Sequence, residues 1–198
     1  MGKGRMEAFS DGVIAILITI MVFDLKAPGG SDAAALVSVV PAALTYLLSF
    51  LYLGIYWNNH HHLWQLASRV TGGILWANLH LLFWLSLVPF ATSWMRASEF
   101  APVPVAVYGG VLLLSALAWW LLEAAIIVHQ GRESPVREAV GADWKAKGSA
   151  LLYVTAIALA FGIPWASVGL YVVVALVWII PDRRFEGRVT RTSEIDSE

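Results

Sequence analysis

Few residues of this chain are equipped for chemistry, and most of them sit at the ends of apolar stretches. The most conspicuous group is His60-His61-His62. Neutral imidazoles are good ligands for zinc and iron, so three in a row raise a metal site as one reading. The pattern goes no further: the other two of the five histidines are His80 and His129, and no Asp or Glu lies within three residues of the triplet. The triplet therefore reads as interfacial histidines, some of them hydrogen-bonded, and neither a metal nor another cofactor is expected. Cysteine is absent, which removes disulfides, thiolate metal sites and cysteine nucleophiles.

The second group is Arg5, Phe9, Ser10 and Asp11, with Thr19 further along the same stretch. Ionisable groups at membrane depth are functional suspects by default, so a proton relay or an ion-binding ring is open to Arg5 and Asp11. A helical wheel turns Asp11 towards another role. With Ile16 at zero, Phe9, Gly12, Val13, Ile20 and Phe23 fall within roughly 60°, Thr19 lies about 60° to the other side, and Asp11 is about 140° away. One face is a column of bulky apolar side chains carrying a single hydroxyl. Asp11 points backwards, and its expected partner is a polar group at the facing end of the second helix, His60 or His61, in a lock between the two helices. Thr19 has two readings: its oxygen meets a passing ion, or its hydroxyl bonds back to the carbonyl of Ala15.

The elements that must position these residues are membrane helices. The chain is 59% hydrophobic and 14% charged over 198 residues, against about 45–50% and 25% in soluble domains. Ten Trp and six Tyr suit two aromatic belts. The expected fold class is an all-α integral membrane protein with six transmembrane helices. They run over about Arg5 to Leu25, Ala33 to His61 with a kink at Pro41, Val70 to Trp94, Val103 to His129, Gly148 to Gly162 and Trp165 to Ile180. The last two are short and read as a tilted hairpin. Glu123, near the inner end of the fourth, reads as interfacial. Residues 1–181 form the membrane domain and residues 182–198 a polar cytoplasmic tail, expected to be disordered. In the first segment only Gly12 to Phe23 is free of charge. Those twelve residues rise roughly 18 Å against a hydrocarbon core of about 30 Å, so this helix is expected among other helices rather than in lipid.

Lysine and arginine orient the chain by gathering on the cytoplasmic side. With six crossings, all thirteen basic residues except Lys26 and Arg96 lie on the side of the N-terminus. Both termini are therefore expected in the cytoplasm, in a multi-pass protein of the cell (inner) membrane. Asp11 interrupts the approach to the apolar run, and Asp24-Leu25-Lys26-Ala27-Pro28 offers no small-x-small site, so a cleaved signal peptide is not expected. The net charge of −1, with no basic patch mixed with aromatics outside the tails, gives no reason to expect nucleic acid as a partner.

The pattern Arg5-x-x-x-Phe9-Ser10-Asp11-Gly12-Val13-x-Ala15-Ile16-x-x-Thr19 resembles the signature of the transmembrane protein 175 family of potassium channels. Trp57-Asn58-Asn59-His60-His61-His62, Leu75-Trp76-Ala77-Asn78-Leu79 and Pro89-Phe90 are similar to later parts of the same family. The resemblance covers about the first hundred residues. The Phe-Ser-Asp motif occurs once, as in the shorter single-repeat members. The resemblance implies a non-enzymatic, potassium-permeable cation channel, a homotetramer in which the first helix of each copy lines the pore. Ile16, Ile20 and Phe23 then project as stacked rings, with the narrowest at Ile16, able to close by dewetting. No Thr-Val-Gly-Tyr-Gly filter is present, so weak selectivity is expected, with potassium as the permeant ion. A secondary ion transporter or a proton-leak pathway is the alternative, although internal repeats and broken mid-membrane helices are not evident. A membrane metalloenzyme of the desaturase kind needs several separate histidine boxes, which this chain lacks.

Overall fold

The structure, a computed structural model, describes residues 2–131, 134–140 and 144–179. Among the described residues every regular element is helical: α1 (Lys3–Ile20, continued by a 3-10 turn Met21–Asp24), α2 (Ala33–Val37), α3 (Val40–Leu66), α4 (Gly72–Ser86), α5 (Val88–Ala97), α6 (Pro102–Gln130), α7 (Pro135–Val140), α8 (Trp144–Leu159) and α9 (Pro164–Ile179). Four units among the described residues are long and apolar enough to cross a membrane: Lys3–Asp24, Val40–Leu66, Gly72–Ala97 and Pro102–Gln130. α8 and α9 have 16 residues each. At that length a straight helix rises roughly 24 Å, less than a hydrocarbon core of about 30 Å. They pack on each other as the expected hairpin. The tail expected over 182–198 lies outside the described residues.

Local chemistry sets the boundaries, and two prolines act differently from expectation. Asp32 caps α2, its Oδ1 accepting from the amide of Ala35 at 2.9 Å. The chain then turns at Ser38–Val39, and Pro41 stands in the first turn of α3. The expected kink inside one long second helix is therefore a break between two. Proline fits a first turn because the amide it lacks has no helical acceptor there. The third segment, expected unbroken, is interrupted at Leu87 and resumes as α5 with Pro89 in its first turn. Pro89 cannot donate to the carbonyl four residues back, and its ring crowds that carbonyl.

α6 is the hub, packing on α4, α5, α8 and α9, while α1 rests on α3 and α4. Hydroxyls tie the interior together. Ser49 Oγ lies 2.7 Å from Thr92 Oγ1 and 3.0 Å from Tyr108 OH. Tyr52 OH donates to the carbonyl of Tyr171 at 2.6 Å, and Tyr171 OH donates to that of Val105 at 3.0 Å. With no water inside an apolar bundle, such groups must find partners in neighbouring helices. Glu123 also departs from expectation. It is buried, and its carboxylate accepts from Trp119 Nε1 at 2.8 Å.

Gly109 lets α6 and α9 approach. A Cβ there would overlap the hydroxyl of Tyr171 and crowd Ile157. Gly109→Ala should therefore displace Tyr171, break its bond to Val105 and lower stability by about 1–3 kcal/mol. Gly110→Ala meets nothing within 4 Å and should be neutral or slightly stabilising. Thermal unfolding of both variants in one detergent checks this, and equal melting temperatures would contradict it.

Candidate functional site

α1 has two unlike faces. Met6, Ser10, Ile14, Leu17 and Met21 are buried against the bundle, whereas Phe9, Gly12, Ile16, Thr19, Ile20 and Phe23 are exposed. The contrast is complete within one turn: Ile14 is 0% exposed and Ile16 56%. The face left open is the apolar column of the helical wheel.

The buried face is fixed to α3 by an antiparallel polar ladder. Lys3 Nζ donates to the carbonyl of Gln65 at 3.3 Å, Glu7 Oε1 lies 3.0 Å from His61 Nδ1, and Asp11 Oδ1 accepts from Trp57 Nε1 at 3.0 Å. Each step is four residues up α1 and four down α3, the spacing that keeps side chains on one helix face. His61 Nε2 also lies 2.9 Å from Gln65 Nε2. A neutral His61 with its proton on Nδ1 satisfies both neighbours, donating to Glu7 and accepting from Gln65.

A deeper link joins α1 to α4. Ser10, 0% exposed, donates to the carbonyl of Met6 at 2.9 Å and accepts from Asn78 Nδ2 at 2.9 Å. Asn78 Oδ1 lies 2.8 Å from His60 Nε2, which also lies 2.9 Å from Trp64 Nε1. One ring nitrogen cannot donate to Asn78 and accept from Trp64 at once, so the tautomer of His60 selects between the two. Its Nδ1 is buried and meets no hydrogen-bond partner among the described residues.

The three histidines thus do not converge on one point: His60 turns to Asn78 and Trp64, His61 to Glu7 and Gln65, and His62 to Gln65 at 3.4 Å. Asp11 does point away from the column and does bind the second long helix, but its partner is Trp57, not His60 or His61. The register of the two helices places His61 one turn nearer the N-terminus of α1, opposite Glu7. Thr19 bonds back to the carbonyl of Ile16, at 3.0 Å, rather than to that of Ala15. The hydrogen is used in that bond, and the oxygen keeps its lone pairs on the exposed face. Arg5 is exposed and makes no ion pair among the described residues. Trp57 and Asn78 stand in the family-like stretches of the sequence without a role assigned to them, and Glu7 and Gln65 carry no such signal. A different signal was present as matched four-residue spacings, 3-7-11 in α1 and 57-61-65 in α3.

The two kinds of contact should differ in weight. Asn78→Leu strands the buried Ser10 and His60, each loss being about 1–3 kcal/mol. Trp57→Phe removes one bond on a half-exposed rung, about 0.5–1 kcal/mol. Chemical or thermal unfolding should therefore rank Asn78→Leu well below Trp57→Phe, and the reverse order would show that the outer ladder carries the load.

Comparison with known proteins identifies the family. Residues 5–89, which carry two of the three rungs of the ladder and the buried link, match the family described as endosomal/lysosomal potassium channel TMEM175. A potassium channel of Chryseobacterium sp. (strain P1-3) is 54% identical over 186 residues, covering 94% of this chain and 97% of the relative. The crystal structure of a lysosomal potassium-selective channel TMEM175 homolog from Chamaesiphon minutus is similar at a TM-score of 0.79 and 32% identity, over 91% of this chain and 97% of that one. The human endosomal/lysosomal proton channel TMEM175 is 29% identical over 66% of this chain, which spans 29% of the human protein. A relative this similar over nearly the full length of both chains, together with a shared fold, settles the matter: this chain is a member of the TMEM175 potassium channel family, a channel protein and not an enzyme.

Proposed function

We propose that the chain forms a potassium-permeable, weakly selective cation channel in which four copies surround one pathway and α1 of each lines it. The observation that carries this reading is the two-faced α1, bound from behind by polar rungs and open along Phe9, Ile16, Ile20 and Phe23. One such face cannot enclose a path. Cyclic symmetry supplies the remaining walls, since closed rings are the common form of homo-oligomers. The membrane domain then crosses six times, with α8 and α9 as the short outer pair, both termini in the cytoplasm and the protein in the inner membrane.

Ile16, Ile20 and Phe23 form the gate in this reading. Water leaves a narrow apolar ring, and an ion does not pass without its hydration. Thr19, with its oxygen on the exposed face, is the one hydroxyl available to touch a passing cation, so selectivity is weak. Protons are the second ion to measure, because the human relative is named a proton channel.

Asparagine at Ile16 keeps comparable size and adds hydrogen-bonding groups, which wets the ring. Ile16→Asn should raise potassium leak from proteoliposomes by about tenfold, the equivalent of about 1.4 kcal/mol off the barrier. Leu121→Asn, an equally exposed apolar position on α6, should leave the leak unchanged. Equal leak from the two, or none from Ile16→Asn in an assembled oligomer, would place the gate elsewhere.

A further inference from the structure

Arg5 is left over by both the lock and the gate. On the wheel it lies about 20° from Ile16, at the N-terminal end of the open column, whereas Lys3, Glu7 and Asp11 lie roughly 140–180° from Ile16. The three rear groups are engaged by Gln65, His61 and Trp57 respectively. Arg5 is exposed and has no ion pair among the described residues. It is therefore the one charged side chain that α1 presents along the column.

A second feature has the same sign. The N-terminus of α1 is capped by no side chain, and no acidic residue stands in its first turn. Its free amides add the positive end of a helix dipole. Nothing on that face offsets the charge, since Glu7 and Asp11 face α3.

We propose that Arg5 makes the pore rectify. This rests on the tetrameric, α1-lined reading above. Four guanidiniums and four helix N-termini surround the mouth that leads to the Ile16 ring, which lies roughly 16 Å further along the helix. They depress the local concentration of cations at that mouth, as any charged rim does. At the opposite end of the column Asp24 and the exposed Lys26 carry opposite charges, so cations arriving from that side meet no net positive ring before the constriction. Current from the N-terminal mouth is then smaller than current towards it at equal and opposite voltages. The effect is electrostatic and solvent-exposed, so salt removes it: the screening length falls from about 30 Å at 0.01 M to about 3 Å at 1 M.

The absence of cysteine allows a clean test. The purified full-length protein is recorded in planar bilayers in symmetric potassium. At about 20 mM the inward-to-outward current ratio should be about threefold, and it should approach unity at 1 M as screening sets in. Arg5→Cys should abolish the asymmetry at low salt. A trimethylammonium-bearing thiol reagent applied at the N-terminal mouth should restore it, and a sulfonate-bearing reagent should invert it. Arg5→Lys, which keeps the charge, should rectify as the unmodified protein does. Low-salt currents that are symmetric, an asymmetry that survives 1 M salt, or one untouched by either reagent would overturn the proposal, and the salt series decides even if Arg5→Cys does not assemble. Ile16→Asn recorded alongside separates the two levels: if it leaks while Arg5 variants are inert, only the rectification proposal fails, and if it is silent, the α1-lined pore fails with it.

Discussion

The register of α1 against α3 is the constraint on which the rest of the structure depends. Within lipid the hydrophobic effect does not drive helices together, because tails are as apolar as leucine. Association rests on packing and interhelical hydrogen bonds. α1 gives up half of its packing surface by leaving the column open, so it must be held from behind. The Lys3–Gln65, Glu7–His61 and Asp11–Trp57 rungs and the buried Ser10–Asn78–His60 link do this. Each rung is modest, about 0.5–1.5 kcal/mol. Their common four-residue spacing makes them act in one register only.

That register decides which face is open. A slip of one residue would rotate α1 by about 100°, drive Ile16 towards the bundle and bring polar side chains to the column. The polar residues near the end of α1 therefore set the open face without standing on it. They cost desolvation to bury, and in return they exclude the competing packings in which an apolar helix slides against apolar neighbours. Tyr171 beneath Gly109 performs a similar service between α6 and α9.

Much of this was legible in the sequence, for identifiable reasons. The apolar period of α1 and the backward direction of Asp11 follow from helix geometry alone, and both appear in the structure. The partner of Asp11 does not follow, because it depends on the offset between two helices that no single periodicity contains. Trp57 was passed over in favour of the neighbouring histidines, whose chemistry is more eye-catching but whose positions fall one turn away or on another face. Pro41 and Pro89 were ambiguous for a different reason. A proline kinks a helix or begins one, and the choice is made by tertiary packing over the preceding residues. The burial of Glu123 is set by the helices packed around α6, and the apolar period of α6 alone does not say which of them covers that position.

The central claim is that the open face of α1 lines the ion pathway. The most direct measurement is an electron cryo-microscopy map of the full-length protein in lipid nanodiscs. The account expects four copies about one axis, with Ile16 side chains forming the closest approach to it and Ile14 remaining inside each bundle. A map in which the Phe9–Ile16–Phe23 face meets lipid, or in which another helix surrounds the axis, would contradict it.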